Sequence, residues 1–340
     1  MTPTIYDVAK HAGVSIATVS KVLSGRPYVS EKTRQRVLDS VAALHYVPSV
    51  VARGLATNRT NMIGLVITYD PHDLFADPNL LQLLYGVDTA VTERDYALLL
   101  STARTADDRL SAYRRLLHAY RVDGVLVETG LGEEGVSQLV DSGYPCAIVG
   151  YTSLGLPCTH PDDYTGARLL TAHLLELGHR RIGIITGPDS LAVTARFRGH
   201  CDALAEFGLP ALPELCVPGT YRPESGYEGT AQLMKLDPPP TAIFAFNDRM
   251  AFGAIQWLRK HGYRVPEDLS VAGFDDIASA AQFDPPLTTV RQTPSMIGHR
   301  AVELLCEQID GGGSVPREVV LPVELICRQS TAPALRGANG

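Results

Sequence analysis

The stretch that decides the fold is Thr4–Leu23, T-I-Y-D-V-A-K-H-A-G-V-S-I-A-T-V-S-K-V-L. Thr4 and Asp7 have the spacing of a capping box, which predicts a helix N-terminus. Gly13 ends this helix, and Ser15 is placed to cap a second one. Two short helices joined by a tight turn around glycine form a helix-turn-helix. The apolar side chains at helical spacing are Ile5, Val8, Ala9 and Ala12 in the first helix and Val19, Val22 and Leu23 in the second.

The spacing alone is equally typical of any small helical hairpin, but the residues are more specific. A close resemblance to the headpiece of LacI-family transcriptional repressors is carried by three segments, D-V-A-K-H-A-G-V-S-I-A-T-V-S-K-V-L at 7–23, V-S-E-K-T-R-Q-R-V at 29–37 and H-Y-V-P-S-V-V-A-R-G-L at 45–55. Ser30 is a plausible cap for a third helix that follows these two.

The length of 340 residues predicts two or three domains. No run of 18 apolar residues is present, and the N-terminus lacks the apolar region of a secretory signal, so we expect a cytoplasmic protein. The six cysteines show no C-x-x-C spacing. We therefore expect reduced thiols, with no disulfide framework and no zinc site.

The charge of the chain is divided unevenly. The net charge is −7, which by itself argues against nucleic-acid binding, yet residues 1–60 contain eight Lys or Arg and three Asp or Glu. This leaves +5 on the first 60 residues and −12 on the remainder. A basic segment attached to an acidic body indicates that the first segment binds phosphate.

The segment after the headpiece contains a further short helix, predicted from Ser49 to Ala56 with Pro48 at its start. A helix of this length is too short to be stable alone. The resemblance implies that it is the family's hinge helix, which folds when it pairs with its dimer mate on DNA. Leu55 matches the leucine that the family inserts into the minor groove at the operator centre, and Ala52 matches the small residue beside it. Such a wedge unstacks a base step and bends DNA.

From Asn61 the sequence alternates between continuous apolar runs and amphipathic stretches, which indicates a doubly wound α/β fold with parallel strands. About 270 residues is long for a single sheet, so we expect two lobes. The apolar runs are Met62–Ile67, Tyr96–Leu100, Gly124–Val127, Cys146–Val149, Arg181–Ile185, Ala242–Ala245 and Leu269–Gly273.

The family resemblance extends over these lobes through motifs in family order, at 178–188, 246–253, 265–276 and 285–290. It implies a small all-α helix-turn-helix headpiece plus a two-lobed α/β domain that is periplasmic-binding-protein-like, with doubly wound parallel sheets. The expected boundaries are 1–47 for the headpiece, 48–60 for the hinge helix and linker, 61–161 with 291–321 for lobe 1, 162–290 with 322–330 for lobe 2, and 331–340 for a flexible tail. The tail has no leucine heptads, so a homodimer is expected rather than a coiled-coil tetramer.

The resemblance also implies which headpiece residues contact DNA. Ile16, Ala17 and Lys21 occupy the positions that read operator sequence. Lys21 can donate to guanine, while Ile16 and Ala17 can make only apolar contacts such as those with a thymine methyl. The residues placed like the family's phosphate contacts, which fix register, are Tyr6, Ser15, Thr18, Ser30 and Thr33. The hydroxyl residues among them could equally be helix caps.

The effector site is expected between the lobes, beyond the carboxyl ends of the strands. By resemblance, Arg198 reaches across the cleft, Asn247 and Asp275 contact the ligand, and Tyr221 stacks on it; Asp163 is a weaker candidate. A guanidinium and a carboxylate both suit sugar hydroxyls. The alternatives are a local ion pair for Arg198 and Asp275 and a helix cap for Asn247.

The sequence shows no catalytic or cofactor motif. Gly130–Gly135 reads G-x-G-x-x-G, but Glu133 and Glu134 within it would repel a pyrophosphate. No P-loop, G-x-S-x-G or H-E-x-x-H is present, so we expect no cofactor, no metal and no catalytic residues.

These observations favour a ligand-controlled DNA-binding regulator, most simply a repressor, that binds a pseudopalindromic operator as a dimer. A sugar is the preferred effector, and a purine or nucleoside is the alternative. A sugar-processing enzyme with a DNA-binding module would need a catalytic base or metal in the cleft. A transport solute-binding protein would need an export signal and no basic headpiece.

Overall fold

The computed structural model describes residues 3–23, 28–46, 59–69, 71–129, 135–311 and 317–335. The chain divides into two compact units, residues 1–61 and 62–340. Within the described residues, no helix combines the length and the apolar character needed to cross a membrane.

The described residues of the first unit form three helices, α1 (Ile5–Ala12), α2 (Ile16–Leu23) and α3 (Glu31–Ala43). The predicted capping box of α1 is present, because the Asp7 carboxylate accepts from the Thr4 N–H at 2.8 Å and the Asp7 N–H donates to the Thr4 hydroxyl. Gly13 ends α1 with φ 61°, a left-handed conformation that glycine adopts without strain. The local sequence therefore determines both ends of α1.

The headpiece core lies between these helices and includes Tyr46. His11 on α1 and Ser40 on α3 are 3.0 Å apart between Nδ1 and Oγ, which joins the two helices by a polar contact at the edge of the core. The buried apolar side chains are Val8, Ala9, Ala12, Val19, Val22, Val37 and Tyr46.

The second unit contains a six-stranded parallel sheet that forms the first lobe, in the order β11-β5-β4-β3-β1-β2. Its strands are β1 (Met62–Ile67), β2 (Ala97–Thr102), β3 (Gly124–Glu128), β4 (Cys146–Val149), β5 (Cys158–Pro161) and β11 (Glu318–Leu321). Its helices are α4 (Pro71–Ala76), α5 (Pro78–Thr92), α6 (Ala106–Arg114) continued by a π-helical segment (Arg115–Tyr120), α7 (Ser137–Asp141) and α12 (Pro294–Ile309).

The second lobe is built on a four-stranded parallel sheet in the order β7-β6-β8-β9. Its strands are β6 (Ile182–Ile185), β7 (Cys216–Val217), β8 (Ala242–Ala245) and β9 (Ser270–Ala272). Its helices are α8 (Asp163–Glu176), α9 (Leu191–Glu206), α10 (Pro223–Leu233) and α11 (Asp248–Lys260), with short 3₁₀ segments at Pro213–Leu215 and Ala278–Ala281.

The two sheets share one topology, since β2-β1-β3-β4 in the first corresponds to β7-β6-β8-β9 in the second. The strand order reverses between β1 and β3 and between β6 and β8, which makes both sheets doubly wound, as predicted. The short pair β10 (Thr289–Arg291) and β12 (Glu324–Ile326) is antiparallel and belongs to segments that connect the two lobes.

Paired helices approach closely because glycine occupies their crossing points. A Cβ on Gly226 of α10 would lie 2.0 Å from the Met250 carbonyl, and a Cβ on Gly253 of α11 would lie 1.9 Å from the Pro223 carbonyl. The same arrangement recurs between α5 and α12, where Gly86 faces the Ser295 carbonyl. Any larger residue at these points must push the helices apart.

We therefore expect Gly253→Ala to destabilise the second lobe by about 1–3 kcal/mol despite the better helix propensity of alanine. The exposed Gln256→Ala on the same helix should stay within about 0.5 kcal/mol of wild type. Trp257, the single tryptophan of the chain, lies on α11 and reports urea unfolding by its fluorescence. Equal midpoints for the two variants would contradict the close crossing.

Candidate functional site: the headpiece surface and the interlobe cleft

The headpiece presents the predicted DNA-contact residues on one short helix and on two helix N-termini. Ile16, Ala17 and Lys21 of α2 are exposed, while Val19 and Val22 of the same helix are buried. The face of α2 that carries the predicted base-reading residues is therefore available to a groove. Tyr6 on α1 is also exposed, at 69% of its full area.

The hydroxyl residues form matched pairs at the starts of α2 and α3. Ser15 and Thr18 are 2.9 Å apart between hydroxyl oxygens, and the Thr18 N–H donates to the Ser15 hydroxyl at 3.2 Å. Ser30 and Thr33 repeat this geometry, also at 2.9 Å. Both serines therefore cap helices. They also remain exposed at helix N-termini, where the backbone N–H groups favour phosphate binding. The remaining predicted contacts, Ala52 and Leu55 of the hinge, lie outside the described residues.

The second unit contains a cavity of about 140 Å³ between its two lobes. It lies where the strands of both sheets end, at the two points where strand order reverses, which is where open α/β sheets bind ligands. The first lobe contributes Tyr69, Asp77, Asn79, Leu80, Leu83, Glu128, Val149, Gly150, Tyr151, His160, Pro161, Pro294 and Ile297, and the remaining lining residues are Asp163, Ala192, Arg196, Tyr221, Asn247, Asp275 and Gln292.

A buried ion pair forms the base of the second-lobe side. The Arg196 Nε donates to the Asp163 carboxylate at 2.7 Å, and the two side chains are 8% and 1% exposed. The guanidinium lies over the Phe274 ring, 3.7 Å from its centroid, and also donates to the Phe246 carbonyl. Desolvated charges are stable only when paired and hydrogen-bonded, and this pair meets both conditions.

The prediction for Arg198 is wrong. Its side chain is 75% exposed, lies 3.7 Å from Asp202 on the outer face of α9, and is absent from the cavity lining. Arg196, two residues earlier, occupies the cavity instead. Positions two apart on a helix differ by roughly 200°, so they point to opposite faces.

Asn247 and Tyr221 line the cavity as predicted, but most of the Asn247 amide is already engaged. Its Oδ1 accepts from the Met250 N–H at 2.9 Å as the cap of α11, and its Nδ2 donates to the Tyr221 carbonyl at 3.0 Å. The Tyr221 ring packs against Gly187, where a Cβ would lie only 2.1 Å from the ring. Asn247 and Gly187 thus position Tyr221, and burial raises the pKa of its hydroxyl to about 12.

Asp275 lies in the cavity wall directly beyond β9, with an unusual backbone φ of 129°. Its Oδ1 accepts from the Gln292 Nε2 at 2.5 Å. Burial raises the pKa of Asp275 well above its usual value, and the nearby Asp248 carboxylate raises it further. A non-glycine residue held in this backbone region is typical of a functional position.

Several lining residues are not predicted from the sequence, among them Asp77, Glu128, Tyr151 and Gln292. Glu128 carried a usable signal, since it directly follows the apolar run 124–127, ends β3 and therefore lies at the carboxyl edge of the sheet. Asp77 caps α5 and also forms an ion pair across the cleft, 3.2 Å from Arg249 on α11. No local pattern marks that second role.

Comparisons with known proteins agree with both units. Residues 4–49 match the bacterial regulatory proteins of the lacI family, and residues 171–331 match a periplasmic binding protein-like domain. The HTH-type transcriptional repressor PurR of Mannheimia succiniciproducens is 36% identical over 333 residues, which cover 96% of this chain and 98% of PurR.

Two solved structures resemble the whole chain. The Lac repressor dimer bound to operator and the anti-inducer ONPF is 30% identical with a TM-score of 0.86, covering 98% of this chain and 100% of that one. A complex of the transcriptional regulator CelR with cellobiose is 34% identical with a TM-score of 0.74, covering 96% and 99%.

The buried pair gives a direct test of which arginine belongs to the cleft. Arg196→Ala leaves the Asp163 carboxylate buried without its cation, and we expect a loss of about 3–5 kcal/mol in the free energy of unfolding. Arg198→Ala removes only an exposed contact and should cost less than about 1 kcal/mol. Urea unfolding followed by Trp257 fluorescence measures both, and a larger loss for Arg198→Ala would reverse the assignment.

Proposed function

Because the chain belongs to the LacI family of bacterial regulatory proteins and is a ligand-responsive, DNA-binding transcription regulator, we propose that its effector is a neutral sugar bound in the interlobe cleft. Family membership confirms the resemblance first carried by the headpiece segments. The relatives are regulators rather than enzymes. One relative is a repressor named PurR, and another is complexed with cellobiose. The choice between a purine and a sugar effector for this chain must therefore be argued from the residues of its cleft.

The observation that carries the proposal is the charge of the cavity lining. Asp77, Glu128, Asp163 and Asp275 contribute four carboxyl groups, and Arg196 contributes the single Lys or Arg side chain among the described lining residues. That arginine is already paired with Asp163. Asp77 is likewise paired, with Arg249. The described lining therefore offers no unpaired Lys or Arg to a phosphate or carboxylate on the effector, whereas sugar hydroxyls can donate to its carboxyl oxygens.

The aromatic residues support the same ligand class. Tyr69 and Tyr151 line the first-lobe side and Tyr221 lines the opposite side, so apolar ring faces and hydroxyl groups are available on both walls. A sugar ring has apolar C–H faces and polar edges, which this combination matches.

A purine is the second candidate, and the amides of the cleft disfavour it. Reading a purine edge requires groups that both donate and accept, as an amide does. Two of the three lining amides are engaged, Asn247 with Met250 and Tyr221 and Gln292 with Asp275. The third lining amide is that of Asn79, so purine recognition has fewer suitable groups than sugar recognition.

On DNA, we propose that two headpieces of a homodimer bind the halves of a pseudopalindromic operator. Lys21 would donate to guanine, and Ile16 and Ala17 would contact apolar base edges. The capped N-termini at Ser15 and Ser30 would hold phosphates, and Leu55 would wedge into the minor groove. The effector controls this binding only to the extent that it prefers one lobe arrangement, with a coupling of about 1–3 kcal/mol.

A thermal-shift panel tests the effector class on the full chain. A neutral mono- or disaccharide, with cellobiose included, should raise the Tm, because ligand bound to the folded state stabilises it. Sugar phosphates and purine bases or nucleosides should leave the Tm unchanged. Asp275→Asn should weaken binding of the active sugar about tenfold or more, since an amide NH₂ group, which cannot accept from a sugar hydroxyl, replaces one of the two carboxyl oxygens.

Asp237→Asn is the matched control, because Asp237 is exposed and lies outside the cavity lining. It should leave the sugar affinity unchanged. A Tm increase with a purine or a phosphorylated sugar, and with no neutral sugar, would contradict the proposal.

A further inference from the structure

Three side chains of different chemistry converge at one edge of the first-lobe sheet. Cys158 and His160 are two residues apart on β5 and so project from the same face of the strand. β11 runs parallel to β5 with Glu318 in register with Cys158. One ligand atom from each residue, the thiol sulfur, an imidazole nitrogen and a carboxylate oxygen, lies within 4.8 Å of the other two. Within the described part of the chain, this is the one such group of three found.

The imidazole of His160 is held in a fixed orientation. Its Nδ1 lies 2.8 Å from the Pro161 carbonyl oxygen, which can only accept, so the tautomer with its hydrogen on Nδ1 donates to this carbonyl. The Tyr151 ring stacks on the imidazole at 3.7 Å between centroids, and the Tyr151 hydroxyl donates to the same carbonyl. A backbone carbonyl that fixes one ring nitrogen is the usual second partner of a metal-binding histidine.

The opposite nitrogen points at a carboxylate. Nε2 of His160 lies 3.0 Å from Oε1 of Glu318. In the tautomer with the hydrogen on Nδ1, Nε2 and Oε1 present lone pairs to each other, which is the arrangement of two ligands that share a metal ion. The Cys158 thiol beside the pair supplies a third ligand atom.

From this geometry we propose that Cys158, His160 and Glu318 bind a zinc ion. A thiolate, an imidazole and a carboxylate form a ligand set that suits Zn²⁺ and excludes the hard ions Mg²⁺ and Ca²⁺. Ligand atoms around tetrahedral zinc are about 3.3–3.6 Å apart, given bonds of about 2.0–2.3 Å. The Glu318 side chain is 60% exposed and can adjust toward this spacing without disturbing the core.

Three protein ligands leave the fourth zinc position to water or a small molecule. On binding, the Cys158 thiol releases its proton to solvent and the thiolate takes its place at the metal. His160 and Tyr151 both line the interlobe cavity, so a bound metal would fix one wall of the effector site. The zinc proposal itself depends only on the three ligands and stands apart from the effector proposal.

Cobalt substitution tests this site on the full chain after chelator treatment. Co²⁺ bound by a thiolate gives a charge-transfer band in the near ultraviolet and intense visible bands when tetrahedral. We expect one equivalent of Co²⁺ per chain with both features, and one equivalent of Zn²⁺ to displace it. Cys158→Ser should abolish the charge-transfer band.

Glu318→Gln is the second variant, since the exposed position tolerates substitution without unfolding. It should retain the thiolate band and lower the Zn²⁺ affinity about tenfold or more in competition with a chromophoric chelator, and His160→Gln should do the same. Cys327→Ser is the matched control, because Cys327 also lies near a histidine, 3.7 Å from His173. It should leave the spectrum and affinity unchanged.

Two outcomes would overturn the site. The first is the absence of stoichiometric Co²⁺ binding by the wild-type chain, which would leave His160 and Glu318 as a hydrogen-bonded pair only. The second is a thiolate band that persists in Cys158→Ser or is lost in Cys327→Ser, which would place the metal elsewhere.

Discussion

The cleft depends on one desolvated ion pair, Asp163 with Arg196. Asp163 begins α8, just where the chain enters the second lobe, and Arg196 lies one turn into α9. The guanidinium also contacts the Phe246 carbonyl and the Phe274 ring, so it joins the ends of two strands to two helices. Because neither charge is stable when it is buried alone, the pair holds the second-lobe side of the cavity in place in the absence of ligand.

A second set of polar contacts links the lobes themselves. Asp77 on the first lobe pairs with Arg249 on the second, and Gln292 in a connecting segment donates to Asp275. Asp248 anchors the same connecting segment, because its carboxylate accepts from the Thr289 hydroxyl. Burial raises the pKa of Asp248 to about 7. An effector that contacts both walls competes with or reinforces these contacts, and that differential interaction is the physical basis for a shift between lobe arrangements.

Much of the fold could be predicted from the sequence because its signals are local. Continuous apolar runs gave β1, β4 and β8 their observed bounds, and the capping pattern of Thr4 and Asp7 placed the start of the first helix. Buried parallel strands and helix caps are determined by neighbouring residues. The convergence of Asn247 and Asp275 also followed, since each comes directly after a strand of one sheet.

The parts that could not be predicted depend on long-range geometry. Arg196 and Arg198 lie on opposite faces of α9, so the rotation of this helix about its axis decides which of them enters the cleft. A prediction that is two residues off therefore selects the residue on the wrong face. Asn247 serves as a helix cap and as part of the wall, and the sequence offered these as alternatives. Cys158 and Glu318 are brought together only by the register of β5 with β11, so no sequence pattern marks this cluster.

The most direct measurement is the affinity of the full chain for a labelled duplex operator, selected from a random pool, over a series of salt concentrations with and without the stabilising sugar. The affinity should fall steeply as salt rises, because basic headpiece residues displace counterions from phosphate. At fixed salt the sugar should change that affinity while the salt dependence stays the same. No salt-sensitive affinity for any duplex, in either condition, would contradict control of DNA binding from the cleft.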